Sequence, residues 1–118
     1  MTILIRKATE ADITAVAALL GQLGYETTPQ EVRRRFQDER LRDGVLIGEV
    51  DGEVAGLVAH SPPIARLAEG TPSMRVTALV VDGRVRTKGI GAALMAAVEV
   101  QARKAGATLV ELTSGRSR

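Results

Sequence analysis

Apolar positions along the chain change their spacing in a way that marks out strands and helices in turn. Residues 2–7 read as a first strand, with Ile3 and Ile5 on one face at a period of two. Thr9 and Asp12 then form an approximate capping box for a helix running to Leu23. Its stripe is Ile13, Val16, Ala17 and Leu20, and Gly21 weakens it before Gly24 ends it. A second helix opens at Thr28-Pro29, with Thr28 as N-cap, Pro29 at the first helical position and Glu31 three residues after the cap. Val32, Phe36 and Leu41 give it a thin apolar face, and Arg33, Arg34 and Arg35 face solvent.

The pattern then shortens to that of strands. Val45–Val50 and Glu53–His60 flank Asp51-Gly52, a dipeptide suited to a type I′ hairpin turn. Ser61-Pro62-Pro63 ends the second of these strands, because proline has no N–H for a ladder. After a loop through Gly70 and Pro72, residues 74–81 form a long β-branched strand that Asp82-Gly83 breaks. From Gly89 to Lys104 an alanine-rich helix carries Ile90, Leu94, Ala97, Val98 and Ala102 on one side. Gly106 stops it, and residues 108–113 read as a last strand. The order β-α-α-β-β-β-α-β predicts a single α/β domain over residues 1–118, a mixed sheet whose final strand–helix–strand unit is parallel and right-handed.

Composition narrows the chemistry. The chain of 118 residues has no cysteine and one histidine, His60, which removes thiolate chemistry and argues against any resident metal. Aromatic residues make up only 2% of it, so the core is aliphatic and base stacking on single-stranded nucleic acid is disfavoured. No apolar run approaches the ~20 residues that span a bilayer. The N-terminus turns charged after five residues, unlike a signal peptide, and the predicted location is the cytoplasm. Net charge is only +2, yet Arg84, Arg86 and Lys88 fall together.

That basic cluster lies in the most informative stretch of the chain. A buried strand ending Leu79-Val80-Val81 passes through the basic loop into a helix opened by Gly89-Ile90-Gly91. Backbone N–H groups at a helix start lack intrahelical partners, and the helix dipole adds positive character. Glycine allows a ligand to approach the backbone, so the arrangement suits a phosphate. The competing reading is packing, since small residues also serve where a helix meets a sheet. Spacing excludes a Walker A loop, because Lys88 precedes its glycine, and a dinucleotide fingerprint, whose third glycine is replaced by Leu94.

Arg86-Thr87-Lys88-Gly89-Ile90-Gly91 resembles the Arg/Gln-x-x-Gly-x-Gly/Ala motif of the GNAT N-acetyltransferase superfamily, and the element order resembles that fold over nearly the whole chain. The resemblance implies acetyl-coenzyme A as co-substrate. Backbone N–H groups of Arg86, Thr87, Lys88, Gly89, Ile90, Gly91 and Ala92 would hold its pyrophosphate, and the main chain of Leu79, Val80 and Val81 would pair with the pantetheine amides. The strands 74–81 and 108–113 would splay around the thioester, with a bulge near Val81. An acetyl group would pass directly to the primary amine of a small molecule or a protein.

Such a reaction needs a base for the amine, and the candidates are Glu111 on the last strand and His60 at a strand end. Glu69 could select a cationic acceptor, whereas Tyr25 is read as packing between the first two helices. The family continues beyond this last strand and there supplies a tyrosine acid, which finds no match here. The fold is therefore expected to be C-terminally incomplete. A tail beyond this sequence, a homodimer completing the sheet, or a weakly active acyl-coenzyme A-binding module would each account for that. A nucleic-acid-binding domain and a purely structural domain are the rival classes.

Overall fold

The computed structural model describes residues 2–65, 67–68, 70–85 and 89–110, with the backbone alone at Val110. Five strands form one mixed sheet in the order β1 (Ile3–Lys7), β2 (Val45–Val50), β3 (Glu53–His60), β4 (Ser73–Val81) and β5 (Thr108–Val110). The first three pairings are antiparallel and the β4–β5 pairing is parallel. Helices cover both faces. On one lie α1 (Ile13–Leu23) and α2 (Pro29–Phe36), and on the other lies α4 (Ile90–Lys104). No helix among the described residues is long and apolar enough to cross a membrane.

The β2–β3 turn follows its dipeptide: Asp51 and Gly52 both have positive φ, 51° and 88°, as a type I′ turn requires. The capping box of α2 also forms, with the Glu31 N–H donating to Thr28 Oγ1 and the Thr28 N–H to Glu31 Oε1. Two helical expectations need correcting. The segment after Thr9 begins as a 3-10 turn, Glu10–Asp12, before α1 takes over. The second helix is two pieces, because extended backbone at Asp38 ends α2 and the Asp38 carboxylate caps the short α3 (Glu39–Asp43) by accepting from the Arg40 N–H. Leu41 consequently sits on α3 and is 51% exposed. Tyr25, in the α1–α2 connection, is about half exposed.

Alternation along the strands splits the core in two. Ile47, Leu57 and Val80 meet Ile13, Val16, Val32 and Phe36 beneath α1 and α2. Leu46, Val58, Met74 and Val76 meet Ile90, Leu94, Val98 and Ala102 of α4. Those four α4 residues recur every four positions and are almost entirely withdrawn from water. Burial of Ile90 and Leu94, which anchors the start of the helix, contributes roughly 1.5–3 kcal/mol per side chain.

Two glycines that the sequence pattern left unexplained set how closely that helix start lies on the sheet. Gly48 and Gly56 are cross-strand partners on β2 and β3. A Cβ at Gly56 would come within 2.9 Å of the Val80 carbonyl oxygen and 3.4 Å of Ile90 and Leu94 side-chain carbons. One at Gly48 would meet Ile90 at 3.0 Å. The missing side chains are the seat of α4.

At the β1 end, the sheet is tied to α1 by a charged cluster. Arg6 donates twice to the Asp12 carboxylate, at 2.8 Å each, and through Nε to Glu49 at 2.6 Å. The Asp12 side chain is 4% exposed. Arg6 foremost, with the Thr9 N–H, holds its carboxyl below the usual range against the opposing effect of burial.

Candidate functional site

The β4 strand and the start of α4 meet at one end of the sheet, and their geometry follows from a few local devices. The Asp82 N–H donates to the Ala55 carbonyl at 2.7 Å, which fixes the hydrogen-bonding phase of the antiparallel ladder. By alternation, Val80 directs its N–H and C=O toward β3, while those of Leu79 and Val81 face the opposite edge. The described pairing on that edge, with β5, spans only Ser73–Arg75 of β4. Among the described residues, no strand pairs with the edge at Leu79 or Val81. The Val80 main-chain groups are turned to β3, so of the three residues only Leu79 and Val81 offer main-chain groups at this edge.

The bulge lies elsewhere than expected. Register between β3 and β4 is regular at Val81, opposite Gly56, and shifts where Ala59 pairs with Ala78 but His60 with Val76. Thr77 is the extra residue, and its hydroxyl donates to the Ala59 carbonyl at 3.2 Å. A bulge adds local bend and twist. Here it falls two residues beyond Arg75, where the described β4–β5 pairing stops. The hydrophobic pattern of residues 74–81 does not reveal it, because Met74, Val76, Leu79 and Val81 are all apolar across the change of phase.

Beyond β4, Asp82 shapes the turn. Its carboxylate accepts from the Arg84 N–H at 3.0 Å and from the Arg84 guanidinium, with Nη2 at 2.7 Å. Its carbonyl accepts from the Val85 N–H, closing the 3-10 turn Gly83–Val85. The Arg84 guanidinium beside it holds the Asp82 carboxyl well below the usual carboxylate range. Arg84 is thus committed to Asp82, and its charge is compensated within the turn. Arg86, Thr87 and Lys88 lie outside the described residues, as do Glu69 and Glu111.

At the start of α4, Gly89 and Gly91 differ. Gly89 is the N-cap, with φ +82°, a left-handed conformation that L side chains rarely adopt. Gly91 has no such constraint. A Cβ there would meet only a Val81 methyl, at an ordinary contact distance of 3.7 Å. Helix–sheet packing therefore explains neither glycine, since among the described residues a Cβ at Gly89 would meet nothing within 4 Å. The first bond of the helix runs from the Ala93 N–H to the Gly89 carbonyl, which leaves the N–H groups of Ile90, Gly91 and Ala92 without intrahelical partners. Ile90 turns its side chain into the core, whereas Ala92 is exposed. Donors without intrahelical partners, the helix dipole and the missing Cβ of Gly91 are features that suit an anion.

His60 is placed at the far end of β3, opposite Val76. Its Nδ1 lies 2.8 Å from the Ser61 carbonyl and so donates, which leaves Nε2 as the acceptor nitrogen. Nε2 is buried and has no hydrogen-bond partner among the described residues. The structure thus brings together Leu79, Val81, Gly89, Ile90, Gly91 and Ala92, and sets His60 nearer the β4–β5 pairing.

The comparisons agree with this architecture. The profile of the acetyltransferase (GNAT) family matches residues 12–117. A GNAT family acetyltransferase from Staphylococcus aureus superposes with a TM-score of 0.82 at 23% identity, over 98% of this chain and 89% of that one. A ribosomal-protein-alanine N-acetyltransferase from Brucella melitensis gives a TM-score of 0.82 at 21% identity, over 98% and 83%. A glucosamine-6-phosphate N-acetyltransferase from Arabidopsis thaliana gives 0.78 at 23% identity, over 98% and 84%. At these identities the structural likeness speaks for the fold.

Proposed function

The chain belongs to the acetyltransferase (GNAT) family, and from that premise we propose that it transfers an acetyl group from acetyl-coenzyme A directly to a primary amine. The observation that carries the reading is Gly91. It stands beside N–H groups of the helix start that have no intrahelical partner, where neither conformation nor packing among the described residues demands a glycine. A ligand that approaches the backbone there accounts for a small residue, glycine or alanine in the motif, and a pyrophosphate fits the donors.

In this proposal Ile90, Gly91 and Ala92 bind phosphate oxygens through their N–H groups, and Arg86, Thr87, Lys88 and Gly89 extend that cradle. Leu79 and Val81 hold the pantetheine amides by main-chain hydrogen bonds. The thioester supplies the activated acetyl group. The protein's part is to hold an amine against it, which can account for much of the acceleration of a direct transfer. Main-chain N–H groups along β4 polarise the acyl carbonyl. The amine must arrive neutral, and His60 and Glu111 are the bases proposed for its proton.

The acceptor class stays at the level of a primary amine, of a small molecule or a protein. Structures with the same fold are named for a sugar amine and for a protein alanine. Thiol release with acetyl-coenzyme A and a panel of sugar amines, polyamines and peptides tests the proposal. Turnover with one amine class is expected. Coenzyme A binding without turnover on any amine would make the protein an acyl-coenzyme A-binding module, and absence of binding would overturn the proposal entirely.

A further inference from the structure

One side chain from the opposite layer reaches the turn that leads into the cradle. Gln22 stands in the last turn of α1, and its Oε1 accepts a hydrogen bond from the Gly83 N–H at 3.0 Å across 61 residues of sequence. The other described bonds of that turn are local to Asp82 or come from β3. Gln22 therefore supplies the direct polar tie from the α1 layer. Its amide also faces the Asp82 carboxylate, which Arg84 chiefly, and Gln22 to a smaller degree, hold in the charged form.

The position gives this bond more than a packing role. Gly83 opens the 3-10 turn through which the chain leaves β4 toward Gly89. Gln22 sits two residues before Gly24, where α1 ends and the chain turns toward α2. A neutral amide at the surface adds little to folding stability, and Gln22 is exposed. It does fix the distance between the end of α1 and the exit of β4, two parts that otherwise meet through the core side chains of α1 and Val80.

We propose that Gln22 is a positioning residue that couples the cradle to the end of α1, so that coenzyme A binding and ordering of the last turn of α1 favour each other. This rests on the cradle assignment made above. Because coupling between sites is reciprocal, a ligand that fixes the Gly83 turn must also stabilise the Gln22 side of the bond. In the acetyltransferase reading, the α1–α2 connection is then set before the amine arrives.

The test compares the full chain with Gln22→Met, which keeps length and helix propensity and removes the acceptor. Calorimetric titration with coenzyme A is paired with hydrogen exchange of the last turn of α1. In the unaltered protein, coenzyme A should slow exchange there. Gln22→Met should bind about two- to tenfold more weakly, a coupling that cannot exceed the worth of the one neutral hydrogen bond removed. It should also lose the ligand-induced protection while melting within about 3 °C of the original without ligand. Equal affinity, or weaker affinity with the protection retained, would overturn the coupling and leave the cradle standing. Failure of the unaltered protein to bind coenzyme A would remove the cradle assignment and this inference together.

Discussion

Two pairs of glycines meet around the first turn of α4, and they are glycines for opposite reasons. Gly48 and Gly56 lie beneath the helix, where added carbon would collide with Ile90 or with the Val80 carbonyl. Gly89 and Gly91 lie at its mouth, where added carbon would collide with nothing among the described residues. The lower pair serves the fold by bringing the helix down. The upper pair leaves the end of the helix open, and only Gly89 is explained by its backbone. Beside the free end of a helix such a glycine leaves room for a ligand, and the lower pair shows what a structural requirement looks like in the same place.

Substitutions at the two levels should separate stability from binding. The largest stability effect is expected at Gly56→Val, where overpacking against a main-chain carbonyl should cost about 2–3 kcal/mol in urea denaturation. Asp12→Asn lies outside both pairs and serves as a reference for a conventional tie. Weakening its charged bonds to Arg6 should cost about 1–3 kcal/mol, with coenzyme A binding unchanged. This contribution also has a pH signature. Because the folded carboxyl is held low, the stabilisation is present above the ordinary carboxylate pKa of about 4 and is lost as pH falls through the lower folded value. Thermal denaturation of the parent protein should therefore worsen more steeply below about pH 4 than that of Asp12→Asn.

Gly89→Ala should cost about 1–2 kcal/mol through its left-handed backbone. The smallest stability effect has the opposite sign. Gly91→Ala should be neutral or stabilising by up to about 0.5–1 kcal/mol, because alanine is the better helix former. Coenzyme A binding in calorimetry should change little, since the motif takes glycine or alanine at this position, whereas a large charged side chain there should abolish it. A loss of stability at Gly91→Ala would place this glycine with the lower pair and cancel the contrast.

Much of this architecture was legible from residue pattern alone. The alternation of Val45–Val50 and Glu53–His60 around Asp51-Gly52 specified the hairpin, and Ile90, Leu94, Val98 and Ala102 specified the buried face of α4. The strand, basic loop and Gly-x-Gly sequence pointed to the candidate site. What stayed hidden depended on partners distant in sequence. Gly48 and Gly56 read as weak points in strands until the helix resting on them is seen. The bulge at Thr77 is set by its register against β3, not by its own neighbours. Arg84 counted toward the basic cluster, yet its guanidinium pairs with Asp82, two residues away. Gln22 gave no signal at all, because a polar residue on an exposed helix face is ordinary until its partner is known. The break at Asp38 had a local cause that could have been read, an aspartate followed by Glu39 and Arg40 at a renewed helix start.

The claim on which the account depends is that the mouth of α4 holds a phosphate. Calorimetric titration of coenzyme A into the parent protein and into Gly91→Glu measures it most directly, with circular dichroism to establish that both are folded. The account predicts saturable binding of one coenzyme A per chain to the parent and none detectable to Gly91→Glu, whose carboxylate would occupy the open space with the wrong charge. Equal binding by the two folded proteins would contradict it and place the ligand elsewhere.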